Sequence, residues 1–151
     1  MDVRDVLASK PFDVVTVAPS ETIGALSRLL REKRLGGAVV TSNGQTIEGV
    51  ITERDLAYGL GVHAGQLHAL PVSAIMTKTV ITCSPSDSIA HVASTMLSRN
   101  IRHLPVVVDN RLVGMVSIRD VLKTRVDELQ QQTAQLHILV NKSDRVLEDR
   151  E

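Results

Sequence analysis

The sequence predicts an α/β (α+β) fold in which one β-α-β-β-α unit is written twice with pseudo-two-fold symmetry and followed by a C-terminal helical extension. Three observations carry this prediction. The runs Gly49-Val-Ile-Thr-Glu-Arg-Asp55 and Gly114-Met-Val-Ser-Ile-Arg-Asp120 share a glycine, two apolar residues, a hydroxyl residue and Arg-Asp, and their aspartates lie 65 positions apart (120 − 55). The same order of apolar segments precedes each run. After Asp120 an apolar helical pattern continues toward the end of the chain.

Each element of the first copy has a local cause. Val14-Val15-Thr16-Val17 is apolar and β-branched, as a strand requires. Pro19-Ser20-Glu21-Thr22 stops it and starts a helix, in which Ile23, Leu26, Leu29 and Leu30 form an apolar stripe running to about Lys33. Ala38-Val39-Val40 reads as a strand, Ser42-Asn43-Gly44 as a tight turn and Ile47 to Ile51 as the hairpin partner. A short helix follows from Glu53 to about Leu60.

The second copy repeats the order. Val80-Ile81-Thr82 is a strand, and Pro85-Ser86-Asp87-Ser88 opens a helix carrying Ile89, Val92, Met96 and Leu97. His103 to Val108 and Leu112 to Val116 form a hairpin across Asp109-Asn110, and a helix begins after Ser117. The offset between copies is 66 before the hairpin turn and 65 after it, so the first turn holds one extra residue. The expected divisions are an N-terminal segment with the first repeat (1–60), a linker with Gly61, Gly65 and Pro71 (61–74), the second repeat (75–125) and a helical tail (126–151).

Composition narrows the function. The 151 residues are 43% hydrophobic, enough for a folded body, yet the aromatics are only Phe12 and Tyr58, so the core is aliphatic. That removes aromatic base-stacking platforms. With 17 basic and 17 acidic residues there is no basic field to draw nucleic acid or an anionic membrane. Cys83 is the only cysteine, which excludes an intrachain disulfide framework and reads as a structural thiol rather than a nucleophile. No apolar stretch approaches the roughly 20 residues of a membrane span, and the first residues lack a signal-peptide pattern. A cytoplasmic, non-enzymatic protein without a required cofactor is expected, as no P-loop, HExxH or GxSxG signature is present.

The repeated motif supports two readings. Thr52 and Ser117 end strands where helices begin, and Asp55 and Asp120 stand three residues on, the spacing of a capping box worth about 1 kcal/mol with no ligand at all. The same geometry suits a ligand. A helix N-terminus favours an anion, an ionised carboxylate accepts from a ribose diol, and Arg54 and Arg119 add donors for phosphate. Capping does not require an arginine in both copies.

The two β-α-β-β-α units, their paired motifs and the run Arg102-His-Leu-Pro-Val106 resemble the cystathionine-β-synthase (CBS) domain, which occurs in tandem as a Bateman module; the resemblance spans about residues 10–125. It implies an adenine nucleotide (AMP, ADP or ATP) or a related ligand such as NADH or S-adenosylmethionine, held in clefts between the copies. By resemblance, Asp55 and Asp120 hold ribose, Thr52 and Ser117 lie near ribose or phosphate, and Arg102 and His103 meet phosphate. The first copy has Gly36 and Gly37 at the latter place, where glycines leave room for a flat base against the backbone. Two sites of unequal affinity are expected, with Asp120 in the fuller phosphate environment. His103 is equally readable as a packed histidine, and His63, His68, His91 and His137 show no metal-ligand spacing.

In the tail, Leu122, Leu129 and Leu136 are seven apart, with Val126, Val140 and Leu147 in the complementary seam and Thr133 and Ser143 as polar interruptions. Such a helix either packs on its own domain or self-associates. CBS pairs commonly dimerise into a flat disk, so a homodimer reinforced by the tail is expected, with Val3, Val6 and Leu7 capping the same surface. The chain resembles stand-alone bacterial CBS-pair proteins. The resulting expectation is an energy-sensing regulator of another protein, without nucleic-acid or membrane partners; the alternative is a ligand-free dimerisation or interaction scaffold.

Overall fold

The computed structural model describes residues 1–10 and 14–148, and only the backbone of 147 and 148. Phe12 and the Leu147 side chain of the tail seam therefore lie outside the described residues. In chain order the elements are α1 (Val3–Ala8), β1 (Thr16–Val17), α2 (Ile23–Lys33), β2 (Gly37–Val40), β3 (Gly49–Thr52), α3 (Glu53–His63), α4 (Ile89–Arg99), β4 (His103–Val108), β5 (Arg111–Ser117) and α5 (Ile118–Glu148). Short 3-10 turns at Ala64–Ala69 and Val72–Ala74 join the halves.

The helices begin where their caps dictate. Thr22 and Ser88 accept from the amides of Ala25 and His91 to start α2 and α4. Both helices end on a left-handed residue, Arg34 and Asn100. In the first sheet β1 runs parallel to β2, and β2 pairs antiparallel with β3. The second sheet is the β4–β5 hairpin, closed by Asp109 and Asn110, whose φ values of 51° and 61° are those of a two-residue primed turn.

The strand expected at Val80–Thr82 is not formed. Only a parallel bridge between Cys83 and Val106 remains. The cause is Pro105. In the first copy the Val39 amide donates to the Val15 carbonyl, and the matching residue of the second copy (39 + 66) is proline, which has no N–H. The ladder therefore stops at Cys83, whose amide donates to Pro105 O and whose carbonyl accepts from Val107 N at 3.0 and 2.9 Å. The first hairpin turn is also wider than the tight turn read at Ser42–Gly44. It spans Thr41 to Glu48, organised by the Asn43 side-chain oxygen, which accepts from the amides of Gln45 and Thr46.

Two aliphatic cores form, and the segment leading into each repeat packs on the other one. Leu67 and Val72, from the segment between the repeats, are buried with Ile23, Leu26, Ala38 and Ile51 of the first repeat. Val3 and Val6 are buried with Ile89, Met96, Leu104 and Val116 of the second. This corrects the expectation that the N-terminal apolar residues cap the tail surface: they complete a core, anchored by Val3 N donating to Asp87 O at 2.9 Å. The exchange also explains the glycine that opens each motif. A Cβ at Gly49 would sit 2.8 Å from Met76 Sδ and 2.9 Å from the Thr77 carbonyl, and one at Gly114 would sit 2.7 Å from Leu7 Cδ2.

Helix α5 is continuous for 31 residues, about 46 Å. Val121 and Thr124 are buried against the body, but beyond them Val126, Leu129, Leu136 and Val140 are exposed. Among the described residues, the tail beyond Thr124 does not pack on its own domain.

Candidate functional site

Both motif aspartates form the capping box that their spacing predicts. Asp55 Oδ2 accepts from the Thr52 amide at 2.9 Å and the Thr52 hydroxyl at 3.2 Å. Asp120 Oδ2 accepts from the Ser117 amide at 2.9 Å, and the Asp120 amide in turn donates to Ser117 Oγ at 3.2 Å. Each carboxylate is thereby fixed at a helix N-terminus and faces a cleft between the repeats.

The first cleft, of about 370 Å³, is built across the pseudo-two-fold. The first repeat contributes Gly36, Thr52, Glu53, Arg54 and Asp55; the second contributes Arg102, His103 and the segment Thr79–Ile81. Arg54 Nη1 donates to the Asn100 carbonyl at 2.6 Å, which ties the first motif to the C-cap of α4. Asp55 Oδ1 accepts from the Thr77 hydroxyl at 3.0 Å. Thr77 is held by a reciprocal backbone pair with Val50 at 2.9 and 3.0 Å.

The second cleft, of about 290 Å³, joins Ser117, Asp120 and Met115 to Val14, Val15, Leu35 and Gly37 of the first repeat. Lys10 lies inside it, with Nζ 2.6 Å from Asp120 Oδ2 and 2.6 Å from the Met115 carbonyl. Burial opposes ionisation of Asp120, but the Lys10 contact and the Ser117 amide outweigh it and hold the carboxyl below the usual carboxylate range.

The predicted residues are therefore distributed differently from the sequence reading. Arg102 stands with Asp55, not Asp120, so the fuller basic environment belongs to the first cleft. Gly36 lines the first cleft and Gly37 the second, while His103 reaches both. Arg119 is exposed and lines neither. The Cβ positions of the glycine pair are not open to a ligand: one at Gly36 would sit 3.2 Å from His103 Cε1, and one at Gly37 would sit 3.1 Å from the Ile51 carbonyl. The sequence reading missed Lys10 and Thr77. The signal available for both was positional, since each lies in the segment leading into a repeat.

Burial disfavours the His103 imidazolium and lowers its pKa below 6.5, with Glu53 opposing that effect and Arg102 adding to it. Above about pH 6.5 the ring is neutral in both the folded and unfolded chain. As pH falls through that value the unfolded chain takes up the proton first, so folding stability drops until folded His103 is also protonated. The melting temperature of the parent protein is expected to fall between pH 7.5 and pH 5 more steeply than that of His103→Gln, measured by circular dichroism. Equal slopes would remove His103 as the cause. Cys83 is buried, and burial with the nearby Asp87 charge pushes its thiol up to about 12, so it carries no thiolate near neutral pH.

Two interlocked repeats, each lending a capped aspartate to a cleft completed by the other, define a tandem-repeat module with paired inter-repeat sites. The CBS domain family description matches residues 3–61 and again 72–127, and the chain belongs to that family as a CBS pair. It is 30% identical over 118 residues to the CBS domain-containing protein YhcV of Bacillus subtilis, covering 78% of this chain and 81% of that one. The crystal structure of the CBS-domain containing protein ATU1752 from Agrobacterium tumefaciens superposes with a TM-score of 0.80 at 35% identity, over 83% of this chain and 99% of that one. The CBS domain pair of protein MJ0100, crystallised with 5′-methylthioadenosine and S-adenosyl-L-methionine, is 26% identical with a TM-score of 0.73, over 82% and 98% of the two chains. Among the described residues no helix is long and apolar enough to cross a membrane.

Proposed function

We propose that this CBS pair is a cytoplasmic regulatory protein that binds an adenosyl ligand between its repeats and transmits occupancy to a partner protein through a homodimer. One observation carries the reading: the first cleft is lined by a fixed carboxylate, Asp55, and by Arg102 of the other repeat, with Arg54 beside them spending Nη1 on the Asn100 carbonyl and keeping its remaining N–H donors. Capping accounts for Thr52 and Asp55, and the Asn100 carbonyl for one donor of Arg54, but neither accounts for Arg102 in the same cleft. The carboxylate suits a ribose diol, and the guanidiniums suit phosphate or carboxylate. AMP, ADP and ATP fit that pairing, as do NADH and S-adenosylmethionine. The ligands of MJ0100 support the adenosyl class.

Regulation requires the ligand to favour one conformation over another. The second cleft offers a path, because Asp120 sits in the first turn of α5 and that helix runs unbroken to the exposed apolar seam. The role is regulatory rather than catalytic. The test is native mass spectrometry of the purified protein for a retained ligand, followed by calorimetric titration with AMP, ATP, NADH and S-adenosylmethionine. Saturable binding of at least one is expected. A folded protein that binds none of them is a scaffold whose motifs only cap helices, a reading favoured by the capping boxes being complete without ligand.

A further inference from the structure

The two clefts differ in what holds the aspartate. Asp55 receives a neutral hydroxyl from Thr77, in the segment leading into the second repeat. Asp120 receives the Lys10 ammonium, from the segment leading into the first. The placements correspond across the pseudo-two-fold. Thr77 pairs through its backbone with Val50 of the first motif strand, and Lys10 Nζ bonds the carbonyl of Met115, the matching residue of the second (115 − 65). Lys10 and Asp120 are 33% and 21% exposed at the side chain, so solvent screens their pairing only partly.

Resting on the adenosyl reading above, we infer that Lys10 makes the Asp120 cleft selective for adenosyl ligands that carry a negative charge, whereas the Asp55 cleft makes no such demand of its own aspartate. A neutral nucleoside entering the second cleft offers its diol to a carboxylate whose charge Lys10 already satisfies. It either shares that acceptor or strands an ammonium without its counter-charge, and both outcomes weaken binding. An anionic ligand gives Lys10 a new partner. The flexible lysine stem turns the ammonium to the phosphate or carboxylate, and Asp120 is released to the ribose. In the first cleft the Thr77 hydroxyl yields by simple rotation and leaves no charge behind.

Methionine-methyl NMR reads the clefts separately, because Met115 lines the second and Met76 packs on Gly49 beside the first. The probes are adenosine and AMP. At the Met115 signal, AMP is expected to bind the parent protein at least roughly tenfold tighter than adenosine, the value of one charge-assisted bond. Lys10→Thr, which removes the ammonium from Asp120, should tighten adenosine and weaken AMP there while leaving the ratio at Met76 unchanged. Lys10→Gln keeps a hydrogen-bond donor without the charge and serves if the threonine variant does not fold. Equal affinities in the parent protein, or a variant that shifts both ligands by one common factor, overturns the inference. Ligand response at Met76 but not at Met115 overturns it alone. Silence at both signals instead removes the adenosyl reading on which it rests.

Discussion

Asp55→Ala is expected to weaken adenosyl-ligand binding at the first cleft by roughly 10- to 100-fold, the loss of one charge-assisted hydrogen bond from a ribose hydroxyl to carboxylate. The carboxylate is already engaged by the Thr52 amide and hydroxyl on Oδ2 and by Thr77 on Oδ1. Ribose must use the capacity left on Oδ1, with Thr77 turning aside. The substitution also removes one half of the capping box at α3, a cost of about 1 kcal/mol. These effects are separable because only one depends on ligand. Urea denaturation without ligand reads the cap, and calorimetry with AMP on the folded variant reads the ribose contact. Thr77→Val provides the internal comparison, since it frees Oδ1 without removing the acceptor and should leave AMP affinity equal or improved. If folded Asp55→Ala binds AMP as the parent does, Asp55 is a cap and nothing more.

The choice of Asp55 over Asp120 shows where sequence reasoning stopped. Periodicity and caps are local, so α2, α4 and the Asp109-Asn110 hairpin were readable within a residue or two. The paired motifs revealed the repeat and therefore the two clefts. Their composition was not readable, because each cleft takes residues from both copies. Arg102 belongs to the second repeat by sequence and to the first cleft by packing. Lys10 lies before the first repeat and serves the second aspartate. Lys10 follows from the exchange of leading segments, a long-range event with no local signature except the motif glycines that it crosses, and Arg102 from the packing of the β4 entry against the first motif across the pseudo-two-fold. Pro105 is the opposite case. It was visible throughout, and its missing N–H was enough to predict that Val80–Thr82 could not extend the ladder past Cys83.

The seam of α5 makes the second strong prediction. Beyond Thr124 the helix has no partner among the described residues, yet Leu129 and Leu136 are each 62% exposed and Val126 and Val140 lie on the same stripe. In proteins most helical stability comes from packing the amphipathic face rather than from propensity. Leucine on one row and β-branched residues on the other is the pattern that favours two strands. Its polar members do not prevent this, because Thr133 and Ser143 donate back to the carbonyls of Leu129 and Leu139 at 2.9 and 3.1 Å and bring no unsatisfied donor to the seam. The double variant Leu129→Lys, Leu136→Lys removes from each strand two leucines that the dimer would bury, at roughly 1.5–3 kcal/mol apiece, and sets like charges against each other across the two-fold. Sedimentation equilibrium is expected to show a dimer for the parent and a shift of at least about 10⁴-fold toward monomer for the variant, with helical ellipticity lost as the tail frays. AMP binding at the first cleft should persist, since no tail residue lines it. A variant that remains as dimeric as the parent would place self-association elsewhere, on the exposed Tyr58, Leu60 and Leu97 of α3 and α4. The link from Asp120 through α5 to the seam would then carry no signal between protomers.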